Sequence, residues 1–359
     1  MTDCQAPDET TALVEVTRGL LVDTLHRGAL AVVDASGETV AALGGPATRV
    51  AYWRSSAKPF QSMPLVYTGA AERFDLEPRD LAICCGSHSG EPEHTELVTD
   101  LLGRVGLRSD ALACGTHPPL HRSSAEALLR RGDQPTSLHH NCSGLQTGML
   151  MLAAHLGVHT HGYEAADHPV QREILANVSR FTGVRTDDIV MGIDGCNVPT
   201  FGISVERMAL AYARLMQPEG AVENRYNTAA AAIREAMMTH PFNVAGTGRL
   251  DTELMTAGEG RVVSKGGAGG VQCVGLGSGI GFAVKVDDGE AGPLDAVRPK
   301  AVTTLAALRQ LDLIDHASYE TLSSHATPAV KTATGALVGE ARPAFELATN
   351  GSAGSGTVR

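Results

Sequence analysis

At residues 54–62 the chain reads RSSAKPFQS, with Ser55 three positions before Lys58. A hydroxyl beside an amine is the raw material of a nucleophile. Residues i and i+3 share a helix face. A lysine kept neutral in a dry site can take the serine proton, and a helix start favours the negative charge that develops. The chain has only five lysines, Lys58, Lys265, Lys285, Lys300 and Lys331, and Lys58 alone has serine three residues before it. The bland alternative, a serine cap followed by a solvated lysine, is the commoner fate of an isolated SxxK.

Other segments offer chemistry of their own. ICCGSHSGEPEH, residues 83–94, reads as an apolar strand end that hands Ser87, His88 and Ser89 to a turn, with acids suited to a following first helical turn. Equally, Ser89 and Glu91 simply begin that helix and His88 lies on the surface. HHNCSGLQTGM (139–149) and GIDGCNVPT (192–200) each set one cysteine, Cys142 or Cys196, among turn formers. Two thiolates can begin a zinc site, but no CxxC or HxxxH spacing supplies the remaining ligands, and buried inert cysteine is the usual outcome. RVVSKGGAGGVQCVGLGSGIG is glycine-rich, yet a strand follows it, so neither a phosphate loop nor a dinucleotide fingerprint is satisfied. What remains is Lys265 before a turn into a strand.

The elements that must position these residues come from both ends of the chain. GALAVVDASGETVAALGG reads as a hairpin turning at Gly37, and GGVQCVGLGSGIGFAVKVDDG gives late strands. Between them six segments repeat apolar residues at three and four: HTELVTDLLGRVG, SAEALLRR, SGLQTGMLMLAAHLG, HPVQREILANVSRF, ERMALAYARLMQ and NTAAAAIREAMMTH. The expectation is an α/β protein. Its antiparallel sheet is built from N- and C-terminal strands, a helical lobe is inserted between them, and the lobe boundary forms a cleft. One two-lobed domain over 12–345 is expected, with flexible ends at 1–11 and 346–359.

The 359 residues are 43% hydrophobic and 19% charged, which suits a folded enzyme-sized core. A net charge of −11 with no basic run excludes nucleic acid and anionic lipid as partners. The acidic start and the lack of a bilayer-length apolar run predict a soluble, cytoplasmic protein with no membrane partner. Seven cysteines without a CxxC pair predict reduced thiols.

In order along the chain, RSSAKPFQ, CGSHSGEPEH, CGTHPP, HHNCSG, HPVQ, DGCNVP, GTGRLDTELM and SKGGAGGV together resemble the type III, or Rhizobium etli-type, L-asparaginase II family over about residues 12–345. The resemblance implies a serine β-lactamase/glutaminase-like fold and a homodimer. It also implies two Ser-Lys pairs, Ser55 with Lys58 and Ser87 with Lys265. Their expected work is hydrolysis of the side-chain amide of asparagine through a serine acyl-enzyme, with release of ammonia and aspartate. Arg54 and Asp194 suit the substrate α-carboxylate and ammonium, and His88 and Asn141 join them as expected substrate contacts. The family places zinc between two cysteines and a lysine, which carries over to Cys142 and Cys196. Leu145 and Gln146 stand where the family has that lysine and a histidine, so no cofactor is expected to be required. Zinc should bind weakly unless His139, His140 or Asp194 reaches in. Gly269 replaces the usual acid of the late glycine turn. These departures keep two alternatives open: a serine amidase or glutaminase acting on another small amide, and a binding relative without turnover.

Overall fold

The computed structural model describes residues 10–220, 222–289 and 297–348. Of the expected flexible ends, 1–9 and 349–359 lie outside these residues, while Thr11 already begins a strand.

Among the described residues eleven strands form two sheets. β1 (Thr11–Arg18), β2 (Leu21–Asp34) and β3 (Thr39–Leu43) open the chain. β4 (Val50–Tyr52), β5 (Val190–Ile193) and β6 (Pro199–Ser204) make a small sheet in the order β4-β6-β5. β7 (Val262–Gly267), β8 (Val271–Leu276), β9 (Ile280–Val286), β10 (Ala329–Lys331) and β11 (Leu337–Pro343) complete the main sheet. Its order is β10-β11-β1-β2-β9-β8-β7, with β3 also on β2, and every pairing is antiparallel. The sheet is thus built from both chain ends, as expected. β2 and β3 turn at Gly37, whose φ of +97° suits a residue without Cβ.

Alternation along the strands divides the core in two. Leu30 and Val32 of β2 face one side with Phe282 and Val284, beneath Val302, Leu305 and Leu308 of the Pro299–Gln310 helix. Ala31 and Val33 face the other, where the Val205–Met216 helix packs and the helical middle begins. That second packing is close because small residues line it: a Cβ on Gly281 would stand 1.9 Å from the Ala209 carbonyl oxygen. All six anticipated middle segments are helices, at Pro92–Arg104, Arg122–Arg131, Ser143–Leu156, Pro169–Thr182, Val205–Met216 and Asn224–Thr239. No helix among the described residues is long and apolar enough to cross a membrane.

One local expectation is overturned. Residues 83–85 end a helix, Pro78–Cys84, and not a strand. A short buried apolar run does not distinguish the two by periodicity, whereas Glu77 and Asp80, a reciprocal cap around Pro78, mark the helix start. The middle is mostly helical, as expected, with β5 and β6 as two short strands inside it. Asp194-Gly195 and Pro199 read as loop punctuation and hide two short strands.

Candidate active site

The small sheet brings Arg54 and Asp194 out at the same end. Trp53 N donates to Phe201 O and Arg54 N to Thr200 Oγ1, so the chain leaving β4 follows β6, while Asp194 follows β5 on the other flank. Arg54 adopts φ +55°, a left-handed conformation costing a non-glycine residue about 1–2 kcal/mol. The turn aims its side chain at Asp194: Nε reaches Oδ2 at 2.9 Å and a terminal nitrogen reaches Oδ1 at 2.8 Å. Burial pushes the Asp194 carboxyl up, but the Arg54 bonds and charge outweigh it and hold it below the usual carboxylate range. The two residues expected to face opposite ends of a zwitterion therefore face each other. Gly269 stands behind Arg54, a Cβ there being 3.9 Å from Nη1, so an acid at this position would compete with Asp194 for the guanidinium.

Beyond Arg54 the chain makes a 3₁₀ turn, Arg54–Ala57, and then the Lys58–Ser62 helix with Pro59 in its first turn. Ser55 caps neither; the cap positions fall on Trp53 and Ala57. Among the described residues no hydrogen bond joins Ser55 to Lys58. Nζ of the fully enclosed Lys58 lies instead within hydrogen-bonding reach of Gly86 O (2.6 Å), Asn141 O (3.3 Å) and Cys142 Sγ (3.3 Å). Ser55 is half-buried, whereas its neighbour Ser56 is buried and donates to Lys265 O at 2.8 Å, tying the turn to β7.

Ser87 and Lys265 do meet. Ser87 is pinned by its N–H on Val244 O, and Lys265, completely buried on β7, donates from Nζ to Ser87 Oγ (3.0 Å) and Gly266 O (2.7 Å). Burial lowers the Lys265 pKa to about 7; nearby Asp251 opposes this, and the charges of Lys58, Arg249 and Lys300 add to it. A lysine balanced there can both give and take a proton at neutral pH. His88 is buried and kept neutral, with burial pushing its pKa well down. Both its ring nitrogens are engaged, by Ser143 Oγ and by Gly90 N. Asn141 turns its carbonyl to Lys58, and its Oδ1 lies 3.4 Å from Cys142 Sγ and from His117 Nε2.

Sequence reasoning did not single out Asp251 or Arg249, although both sit in GTGRLDTELM. An acid in a first helical turn reads as dipole compensation, and nothing local says that this one points inward. Arg249 reaches Ser89 Oγ at 3.4 Å.

Cys142 and Cys196 are free, buried and hydrogen-bonded to each other. That bond, with help from Lys58 and against burial, drives the Cys142 thiol far down, while Cys196 is driven up as the donor. Two sulfurs do not hold zinc tetrahedrally. Leu145 is buried and offers no lone pair. Gln146 is spent on Cys196 O (2.6 Å) and Tyr163 Oη (2.5 Å), Asp194 on Arg54, His140 Nδ1 on Cys142 N and His139 Nδ1 on Thr136. No set of three or more His, Cys, Asp or Glu converges among the described residues, so the donors present do not make the zinc site that the resemblance implies.

The chemistry-bearing cluster is nearly closed, with Arg54, Ser55 and Asp194 its less buried members. An open groove of about 990 Å³ lies elsewhere, between the β1–β2 turn and β10–β11, lined by Leu20, Leu21, Val22 and Leu337 among others, and carries none of these groups.

The α/β fold thus brings a buried lysine against a serine, with a second lysine and a second serine nearby. The chain belongs to the L-asparaginase II family, whose model matches residues 14–343. No curated protein matches the chain significantly. Among solved structures it is similar to a protein from Bacteroides dorei DSM 17855 described as a beta-lactamase, at 16% identity, covering 79% of this chain and 92% of that one, with a TM-score of 0.45. A mutant of simvastatin synthase (LovD) from Aspergillus terreus matches at 11% identity over 76% and 87% with a TM-score of 0.37. The unliganded form of that enzyme matches at 12% over 72% and 87% with a TM-score of 0.33. Likenesses this slight do not bear on activity.

Proposed function

We propose that the protein hydrolyses the side-chain amide of L-asparagine to L-aspartate and ammonia through an acyl-enzyme on Ser55. The observation that carries this reading is the Lys265–Ser87 contact inside a member of the L-asparaginase II family, with Lys265 poised near neutrality. Ser55 is the more accessible of the two serines and forms the bond to the amide carbon. Lys58, three positions along, takes the hydroxyl proton as the neutral amine; Ser87 and Lys265 deliver a proton to the departing ammonia; water then cleaves the ester and the acid formed gives up its proton. Arg54 and Asp194 hold the α-carboxylate and α-ammonium of the substrate.

A specific observation favours a second reading, a serine amidase or glutaminase acting on another small amide: Leu145 and Gln146 present no charge, and Gln146 is consumed by structural bonds. Ammonia release from asparagine, glutamine and N-blocked amides separates the two. Clear preference for asparagine supports the first, and a better turnover of any other amide replaces it with the second.

A cytoplasmic homodimer that needs no metal completes the proposal. Protein purified without chelator should carry well under one zinc per chain by elemental analysis and lose no activity in EDTA; stoichiometric, activity-linked zinc would overturn that part.

A further inference from the structure

We propose that Asp251 is a positioning residue that sets the charge on Lys265, and thereby the pH at which this chain hydrolyses amides. This rests on Lys265 carrying a proton in the reaction, as read above.

Asp251 lies in the first turn of the Leu250–Ala257 helix, yet its carboxylate points into the core. Three donors from β7 and β8 clamp it. Oδ1 accepts from Ser264 Oγ (2.8 Å) and Gln272 Nε2 (2.7 Å), and Oδ2 accepts from Gly266 N (2.8 Å). Gln272 and Ser264 also bond each other at 2.9 Å, so the clamp is itself braced. Held this way, Oδ2 stands 4.0 Å from Lys265 Nζ. That is beyond a hydrogen bond and well within reach of charge.

The gap matters. A carboxylate touching Nζ would take one of its donors and hold the ammonium away from Ser87. At 4.0 Å, Asp251 stabilises the charged form and leaves the Lys265 protons to Ser87 Oγ and Gly266 O. The other charges that face Lys265 from neighbouring elements are Lys58, Arg249 and Lys300, all cations that discourage its protonation. The Cys85 and Cys273 thiols nearby are kept protonated by burial, each pushed up to about 12. Asp251 is thus the carboxylate that offsets three cations, and deleting its charge has one sign. Lys265 must lose its proton at lower pH, whether it serves as acid or as base.

The test is the pH profile of kcat for ammonia release by the native chain, Asp251→Asn and Asp251→Glu, with folding checked by circular dichroism. In Asp251→Asn the limb that belongs to Lys265 should move down by about one to three pH units, the usual effect of an opposite charge at this range. KM should change little, and Asp251→Glu should bring the limb part of the way back. A folded Asp251→Asn variant with an unmoved limb overturns the inference. If that variant does not fold, Gln272→Met decides. It removes one of the two donors to Oδ1 and leaves the carboxylate charge less neutralised beside Nζ, so the limb should move up, and no shift or a downward one overturns the inference equally. A native protein that releases ammonia from no amide at any pH fails differently: it removes the proposed function and this inference with it.

Discussion

Ser55→Ala is expected to stop ammonia release from asparagine, with a loss of at least about a thousandfold, while melting temperature and circular dichroism stay near native. Loss of a nucleophile removes the covalent path altogether, which is why such effects are far larger than that of any single hydrogen bond. The half-buried Ser55 makes no side-chain hydrogen bond among the described residues, so little stability should depend on it. Lys58→Met should be as inactive but less stable, because Gly86 O and Asn141 O lose their donor inside the protein. A slow or acylating amide should add mass to native protein and none to Ser55→Ala. A labelled peptide containing Ser87 would instead make Ser87 the nucleophile.

The second large effect belongs to Lys265→Met, which should be inactive and should also change how stability depends on pH. The folded pKa of Lys265 is about 7, against about 10.5 in an unfolded chain, so between these values the unfolded state binds the extra proton. Native stability must then rise with pH across that window, by about 1.4 kcal/mol per unit from this group. Below pH 7 both states are protonated and the burial penalty is fully present. Methionine carries no such penalty. Relative to native, the variant should be most favoured below pH 7 and should lose that advantage steadily toward pH 10.5. Denaturant midpoints at three pH values read the slope, and a constant difference would show that Lys265 does not titrate in the folded protein as described.

How much of this was written in the sequence varies by element. The six long helices were legible because each spans several repeats of an apolar stripe, and the β2–β3 hairpin because Gly37 sits between two β-branched runs. The 83–85 run was not, since three apolar residues fit a buried helix as well as a strand. Pairing Ser55 with Lys58 assumed one continuous helix. The turn from Ser55 to Lys58 is 3₁₀, which still sets i and i+3 on one side, so the pair is parted by the tertiary pull of Gly86 O and Asn141 O on Lys58 Nζ. Ser87 and Lys265 lie 178 positions apart, and their meeting depends on β7 lying beside the loop after the Pro78–Cys84 helix, which no local pattern encodes. Family resemblance supplied that pairing. The Asp251 clamp had no such help, because its three partners are ordinary strand residues.

The guanidinium and carboxylate of Arg54 and Asp194 neutralise one another, and this sets an entry condition. A guest carrying one charge would split the couple and strand the other half, partly out of water, without a counterpart. A guest carrying both replaces each lost bond with an equivalent one. The couple should therefore screen out mono-ionic amides on arrival, before any serine is engaged.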